Sequence, residues 1–170
     1  MTKKLLGTRC WAAFLLAGGR LKMAREAEVL FVEDSECYAH LFEIIVGQIE
    51  YKCRLDKAVN GAEAIRKLKE RFESEDTFYD VVITDLHMNF INGIELTKYI
   101  RSLYANMNIP IVVMSSQDAS EVGMLAHDAG ANRFIQKPAH IDELFQAITN
   151  VISDFIVKIG HDIERRKVDN

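Results

Sequence analysis

The sequence is poor in the residues that build metal-ligand or disulfide frameworks. It has three cysteines and five histidines in 170 residues. Because they form no C-x-x-C pair, no Cys/His cluster and no H-E-x-x-H spacing, the sequence predicts neither a zinc site nor a disulfide framework. Scattered cysteines are typical of a reduced compartment, and we expect a cytoplasmic protein.

Long apolar runs are also missing. The best candidate, residues 10–17, is bracketed by Arg9 and Arg20 and is far shorter than the ~20 apolar residues that a membrane span needs. We therefore expect no membrane partner. Residues 1–28 resemble a secretory signal peptide only weakly, and we prefer Met23 as the initiator, with the preceding residues arising from an over-extended gene model. N-terminal sequencing of the native protein checks this, and a mature start at Thr2 would contradict it.

Neither sign of charge dominates. A formal net charge of -4 and an isoelectric point near 5.7 give no general attraction to a polyanion, so we expect no direct nucleic-acid partner. Apolar residues make up 49% and charged residues 27%, which is typical of a globular domain. The length predicts one domain over residues 28–160, with an N-terminal extension over 1–27 that need not be native and a charged tail over 161–170.

Strand and helix patterns alternate along the chain. Short β-branched runs predict strands over residues 29–32, 52–59, 80–84, 109–114 and 132–136. Amphipathic spacing predicts helices over 35–50, 62–72, 94–104, 118–130 and from 141 past 159. We expect Leu103 and Ile141 on inner helix faces, and a capping box at Asp118 and Glu121. The alternation predicts an α/β fold: a flavodoxin-like, doubly wound, five-stranded parallel sheet of order 2-1-3-4-5 with helices on both faces.

Reactive side chains stand at or just after the ends of four predicted strands. They are Glu33, Asp34, Asp85, Ser115 and Lys137. Because strands 1 and 3 are neighbours in this order and the carboxyl ends of parallel strands meet at one edge, we expect one shared crevice. Clustered carboxylates without imidazole or thiolate select a hard cation, and Mg²⁺ is the cofactor we expect.

This combination of groups suits phosphoryl transfer. A carboxylate such as Asp85 can attack phosphorus and give an acyl phosphate. The reaction needs positioning and neutralisation of the phosphoryl oxygens more than it needs a base. The Lys137 ammonium and the Ser115 hydroxyl can both contact those oxygens.

The sequence resembles the receiver domain of two-component response regulators, single-domain chemotaxis regulators in particular, from about Val29 to Ile159. The matching motifs are V-E-D-S at 32–35, T-D-L-H-M at 84–88, N-G-I-E-L at 92–96, M-S-S at 114–116 and G-A-N-R-F-I-Q-K-P at 130–138. Each motif alone is weak. All five in the family's order and at its separations are specific.

The resemblance implies a phosphorylation site and a metal site. Asp85 is then the phosphoacceptor. Glu33, Asp34 and Asp85 hold Mg²⁺ together with the backbone carbonyl of His87. The phosphoryl donor is a histidine kinase or a histidine phosphotransfer protein, and the output is contact with a downstream protein target. The chain would catalyse only its own phosphorylation and dephosphorylation, so it is not expected to be an enzyme acting on a separate substrate.

The same resemblance implies a conformational switch. Ser115 and Lys137 contact the phosphoryl group, and Phe134 rotates inward when Ser115 moves. His87 and Gln117 occupy positions that tune the lifetime of the acyl phosphate. Because few residues follow Ile159, we expect a stand-alone receiver, and the sequence leaves open a phosphorylation-dependent homodimer.

Three departures from the family pattern affect these expectations. Asn89 stands where the family usually has proline, so the loop before the third helix is expected to be less stiff. The separation of Asp34 and Asp85 is several residues longer than usual, with the excess placed in residues 70–78. Phe134 lacks the phenol hydroxyl of a tyrosine at that position.

The sequence fits three other functions less well than that of a phosphorylated receiver. A pseudo-receiver acting as a constitutive interaction module would lack site residues that are all present here. A flavin carrier would need a phosphate-binding loop of Gly, Ser and Thr amides where this chain has Glu33 and Asp34. A phosphatase of the haloacid-dehalogenase type would need D-x-D at the first strand.

Overall fold

The computed structural model describes residues 13–15, 21–23, 26–74, 78–104 and 107–168. Most of the predicted N-terminal extension lies outside these residues. Within it, β1 (Ala13–Leu15) pairs with β2 (Leu21–Met23) as a small antiparallel sheet.

The main sheet follows the predicted strand order. Its strands are β3 (Ala27–Val32), β4 (Cys53–Ala58), β5 (Val81–Asp85), β6 (Ile111–Ser115) and β7 (Arg133–Gln136). They are all parallel and lie in the order β4-β3-β5-β6-β7, which is 2-1-3-4-5 when counted within this sheet. The sheet therefore has the flavodoxin-like order that the sequence predicts, and β3 and β5, which lead to Glu33 and Asp85, lie side by side.

Helices connect the strands. They are α1 (Glu36–Gln48), α2 (Gly61–Glu73), α3 (Gly93–Leu103), α4 (Ala119–Asp128) and α5 (Ile141–Val168). Asp118 is the N-cap of α4, its side chain accepting from the Ser120 amide at 2.8 Å, and the capping box with Glu121 stays a prediction. A reciprocal capping box is found at α3, where Asn92 and Glu95 each accept from the other's backbone N–H. None of the described helices combines the length and apolar composition that a bilayer crossing requires.

The core lies on both faces of the sheet. On one face Phe31 stacks on Phe42 of α1, with 3.8 Å between ring centroids. On the other face Leu30 and Val32 pack with Leu68 of α2. Buried strands with helices on both faces explain why the strand sequences are continuously apolar rather than alternating.

Two predictions for inner helix faces are wrong. Leu103 is 56% exposed and Ile141 is 58% exposed. Both are terminal residues of their helices. In α3 the buried side runs through Ile100 and the C-cap Tyr104, on either side of Leu103, and in α5 burial begins at Leu144, one turn after Ile141.

A network of charges stabilises the amino end of the sheet, opposite the predicted site. Arg71 of α2 contacts the buried Glu28 carboxylate at 2.8 Å, and its guanidinium lies 4.2 Å from the centre of the Tyr79 ring. Asp56 accepts hydrogen bonds from Tyr79 at 2.6 Å and from Lys67 at 2.7 Å. These contacts link α2 to β3, to β4 and to the segment that leads into β5.

Candidate phosphoacceptor site

The carboxyl ends of β3, β5, β6 and β7 position the central residues of the site. Glu33 directly follows β3, Asp85 and Ser115 end β5 and β6, and Lys137 follows β7. Glu33, Asp85 and Ser115 are 4%, 6% and 0% exposed. All four residues therefore lie at the carboxyl edge of the sheet, as predicted.

Lys137 joins the two buried carboxylates. Its ammonium nitrogen lies 2.7 Å from Glu33 Oε2 and 2.6 Å from Asp85 Oδ1. Burial alone would lower the pKa of Lys137, but its two carboxylate partners outweigh burial and raise it. Burial raises the pKa of Glu33 in spite of the ammonium, and the nearby Asp85 charge adds to the rise. One ammonium for two buried carboxylates leaves an excess of negative charge in the crevice.

The Asp85 carboxylate is held at both oxygens. Oδ1 faces the Lys137 ammonium, and Oδ2 accepts a hydrogen bond from the His87 amide at 2.7 Å. The backbone on either side is fixed as well, since the Thr84 hydroxyl donates to the Asp85 carbonyl and the Leu86 amide donates to the Met114 carbonyl. Asp85 thus presents an oriented carboxylate at the edge of a rigid strand.

Asp34 stands apart from the buried pair. It is exposed, and its Oδ2 accepts from the Asn89 side-chain amide at 3.4 Å. In the described part of the chain no three Asp, Glu, His or Cys side chains are gathered in a metal-holding arrangement. The donor chemistry nevertheless suits a hard divalent ion, because the crevice offers only oxygen ligands and carries uncompensated negative charge.

The residues predicted to form the switch lie on the far wall. The Ser115 hydroxyl accepts from the Gln117 amide at 3.1 Å, and the Ser115 carbonyl accepts from the Lys137 amide at 2.7 Å. Phe134 is half-buried and packs with Val113 and neighbouring apolar residues of α4. A Cβ added at Gly123 of α4 would lie 3.7 Å from the Phe134 ring. The ring therefore lies directly over this glycine of α4.

Sequence reasoning missed Tyr38. The Lys137 ammonium lies 4.0 Å from the centre of the Tyr38 ring, in cation–π contact. The Tyr38 hydroxyl is buried and has no hydrogen-bond partner among the described residues. Burial raises the pKa of Tyr38. One feature of the sequence could have indicated it. Tyr38 lies in the first turn of α1, and the N-cap of this helix, Ser35, directly follows Glu33 and Asp34.

Gly93 allows the loop after β5 to fold back against Asp85. A Cβ at Gly93 would collide with the Asp85 carbonyl oxygen. The Gly93 amide also donates to the Leu86 carbonyl at 3.0 Å, which closes the loop. The N-G pair of the sequence therefore combines a helix cap with a close backbone approach.

The fold and the crevice together define a class. A doubly wound parallel sheet that places an oriented carboxylate, a second carboxylate, a lysine and a serine at its carboxyl edge is typical of phosphoacceptor signalling modules. A family model described as the response regulator receiver domain matches residues 29–149. The chain belongs to this family, which confirms the predicted receiver domain of two-component signalling.

Individual relatives agree with this assignment. A protein-glutamate methylesterase/protein-glutamine glutaminase from Treponema denticola is 31% identical over 144 residues, covering 82% of this chain and 37% of that protein. The chain spans less than half the length of the first curated relatives it matches.

Solved structures match the fold. The phosphorylated cyanobacterial phytochrome response regulator RcpA superposes with a TM-score of 0.70 at 22% identity, covering 78% of this chain and 95% of that one. The receiver domain of the sensor histidine kinase PA1611 from Pseudomonas aeruginosa PAO1, solved with magnesium in its active-site cleft, gives 0.61 at 21% identity, covering 78% and 98%.

Proposed function

We propose that this receiver accepts a phosphoryl group on Asp85 from a phosphohistidine donor. The observation that carries the proposal is the held carboxylate: Asp85 is buried at a strand end, with Lys137 at one oxygen and the His87 amide at the other. An Asp85 carboxylate oxygen attacks phosphorus, forming a P–O bond as the P–N bond to the donor histidine breaks. The electron pair of the broken bond stays on the donor nitrogen, which regains a proton from water.

Lys137 and Ser115 provide contacts for the transferred group. The Lys137 ammonium already touches Asp85, so a short movement would place it on a phosphoryl oxygen. The Ser115 hydroxyl is fixed by only one described hydrogen bond, from the Gln117 amide, and its own proton remains to be donated. Both contacts would stabilise charge on the equatorial oxygens.

Mg²⁺ is the cofactor that we propose for this step. Glu33, Asp34, Asp85 and the His87 carbonyl would hold it, directly or through water, and when bound it would neutralise phosphoryl oxygens. The excess negative charge around Lys137 supports a second cation in the crevice. The magnesium-containing neighbour from Pseudomonas aeruginosa is consistent with this choice.

Phosphorylation would change the surface through Ser115 and Phe134. A Ser115 side chain drawn toward the phosphoryl group leaves space next to β6, and the half-buried Phe134 ring can move into it. The face formed by α4, β7 and α5 would then shift between two populations. We propose that His87 and Gln117, whose amides contact the Asp85 and Ser115 side chains, tune the acyl phosphate lifetime.

The proposed partners follow from this chemistry. Receiver domains interact with histidine kinases and phosphotransfer proteins, and such a protein would be the donor. The downstream target would be another protein that reads the shifted face. A phosphorylation-dependent homodimer and the cytoplasmic location remain predictions, which chromatography of the phosphorylated chain and cell fractionation would test.

Incubation with acetyl phosphate and Mg²⁺ tests the proposed function. Intact mass spectrometry should show one added phosphoryl group on the wild-type chain and none on Asp85→Asn. EDTA should abolish the modification. Equal modification of both proteins would remove Asp85 as the acceptor, and no modification of the wild type would favour a constitutive interaction module.

A further inference from the structure

Phe90 has an unusual conformation beside the proposed acceptor. It is 88% exposed, more than any other large apolar residue described. Its φ of 70° lies in the left-handed region that bulky side chains rarely adopt. The Ile91 amide donates to the Asn89 carbonyl at 3.0 Å across it, so Phe90 is the central residue of a strained γ-turn.

The loop does not need Phe90 for its own packing. Met88 and Ile91 are the loop residues that pack against the core of α2 and α3. Ile91 also touches the position of Gly61, where no side chain would fit. With the loop anchored on both sides, the Phe90 ring is directed to solvent at a cost in conformational energy. Local strain that neighbouring contacts maintain tends to mark functional positions.

The position of Phe90 relative to the site limits what could cover it. Its neighbour Asn89 contacts Asp34, and consecutive Cα atoms are ~3.8 Å apart, so the backbone of Phe90 lies next to a residue that reaches the acidic edge of the sheet. The loop from residue 86 to residue 93 contains no Asp, Glu, Lys or Arg. Exposed aromatic residues on uncharged surfaces are typical anchors of protein interfaces.

We propose that Phe90 anchors the docking of the phosphohistidine-bearing donor protein, by inserting its ring into an apolar recess beside the donor histidine. This inference rests on the proposed function. A donor must bring phosphorus into contact with Asp85, so its surface must cover the rim of the crevice, which includes Phe90. A downstream target has no such requirement. The occupant is therefore the donor.

Two phosphoryl sources distinguish docking from chemistry. For the protein source, a set of purified, phosphorylated histidine phosphotransfer domains is first tested on the wild-type chain. The domain that transfers its phosphoryl group fastest is then used with every variant. The small source is acetyl phosphate with Mg²⁺. Phe90→Ala should lower kcat/KM for the protein donor roughly tenfold to thirtyfold, as loss of an interface anchor does. With acetyl phosphate its rate should stay within about twofold of wild type, because the ring does not take part in the transfer.

Two further variants control for stability and for general loss of apolar surface. Phe90→Gly removes both the ring and the left-handed strain, so it should transfer as poorly as Phe90→Ala while its Tm rises. Leu103→Ala removes an exposed apolar side chain at the other end of α3 and should transfer at the wild-type rate with both donors.

Each other outcome overturns the inference. Unchanged transfer to Phe90→Ala from the protein donor would exclude an anchoring role. An equal loss with acetyl phosphate would mean that Phe90 acts on the chemistry. If no protein donor transfers to the wild type while acetyl phosphate does, the docking inference fails and the acceptor role of Asp85 stands. If acetyl phosphate also fails to modify Asp85, the proposed function itself fails.

Discussion

The ammonium of Lys137 lies 4.0 Å from the centre of the Tyr38 ring while it contacts two carboxylates on its other side. The ring supplies a weakly attractive surface that does not compete for the ammonium protons. Lys137 therefore keeps all three N–H donors for oxygen partners while its direction is fixed.

We expect Tyr38→Leu to slow phosphorylation by acetyl phosphate about twofold to fivefold, because the substitution removes a modest cation–π contact with Lys137. Tyr38→Phe keeps the ring and should restore the rate. It should also stabilise the fold by roughly 1 kcal/mol, because it removes a buried hydroxyl without a described partner. In a Lys137→Ala background Tyr38→Leu should have no further effect on the rate. An additional loss there would show that Tyr38 does not act through Lys137.

Two glycines provide a matched pair for the loop after β5. Gly93→Ala should destabilise the protein by roughly 2 to 3 kcal/mol, since the new methyl group collides with the Asp85 carbonyl and the backbone must move. Gly47→Ala, in α1 with nothing within 4 Å of the added Cβ, should stabilise by about 0.5 kcal/mol. Urea denaturation measures both changes. Equal stability of the Gly93 variant and the wild type would mean that the loop does not approach Asp85 this closely.

The charge network at the amino end should affect stability without affecting phosphorylation. Burial opposes ionisation of Asp56, but hydrogen bonds from Lys67 and Tyr79 outweigh it and hold its pKa below the ordinary value of 3.8. Asp56→Asn should lower the free energy of unfolding by about 2 kcal/mol at pH 7, because a hydrogen bond to a charged group contributes about that much. Its rate with acetyl phosphate should not change.

The pH dependence of that difference gives a separate check. Because the pKa of Asp56 is lowered on folding, its contribution is present above pH 3.8 and is lost as pH falls through the folded value. The wild-type and Asp56→Asn unfolding curves should converge in acid. A difference that is constant down to pH 2 would exclude this ionic contribution.

Two cysteines should differ in reactivity. Cys37 is exposed, whereas burial, followed by the nearby Asp80 and Glu26 charges, raises the pKa of Cys53 to about 12. At pH 8 iodoacetamide should label Cys37 and leave Cys53 unmodified until urea unfolds the chain. The raised pKa also means that Cys53 contributes stability fully below pH 9 and loses it as pH rises toward 12. Peptide mapping that finds Cys53 labelled in the native protein at pH 8 would contradict its raised pKa.

The sheet was predictable from the sequence because its strands are buried on both faces and are punctuated by helix patterns. The predicted strand order made the strands before Glu33 and Asp85 neighbours, and the structure confirms that the two carboxylates lie close together. The roles of these residues in phosphoryl transfer stay predictions. Helix periodicity does not define the helix ends, and there Leu103 and Ile141 were placed wrongly.

Contacts between side chains distant in sequence could not be read from periodicity. Tyr38 contacts the Lys137 ammonium in the crevice, and Arg71 contacts the Glu28 carboxylate at the amino end of the sheet. A helical pattern treats Tyr38 as an ordinary apolar position of α1, since its partner is defined only when β7 is in place. The strain at Phe90 is likewise invisible, because it depends on the anchoring of Met88 and Ile91.

The hydrogen bond from the Lys137 amide to the Ser115 carbonyl joins the last residue of β6 to the residue that follows β7. If the proposed contacts of the Ser115 hydroxyl and the Lys137 ammonium with a phosphoryl group form, this backbone hydrogen bond couples them. A displacement of one residue should then displace the other.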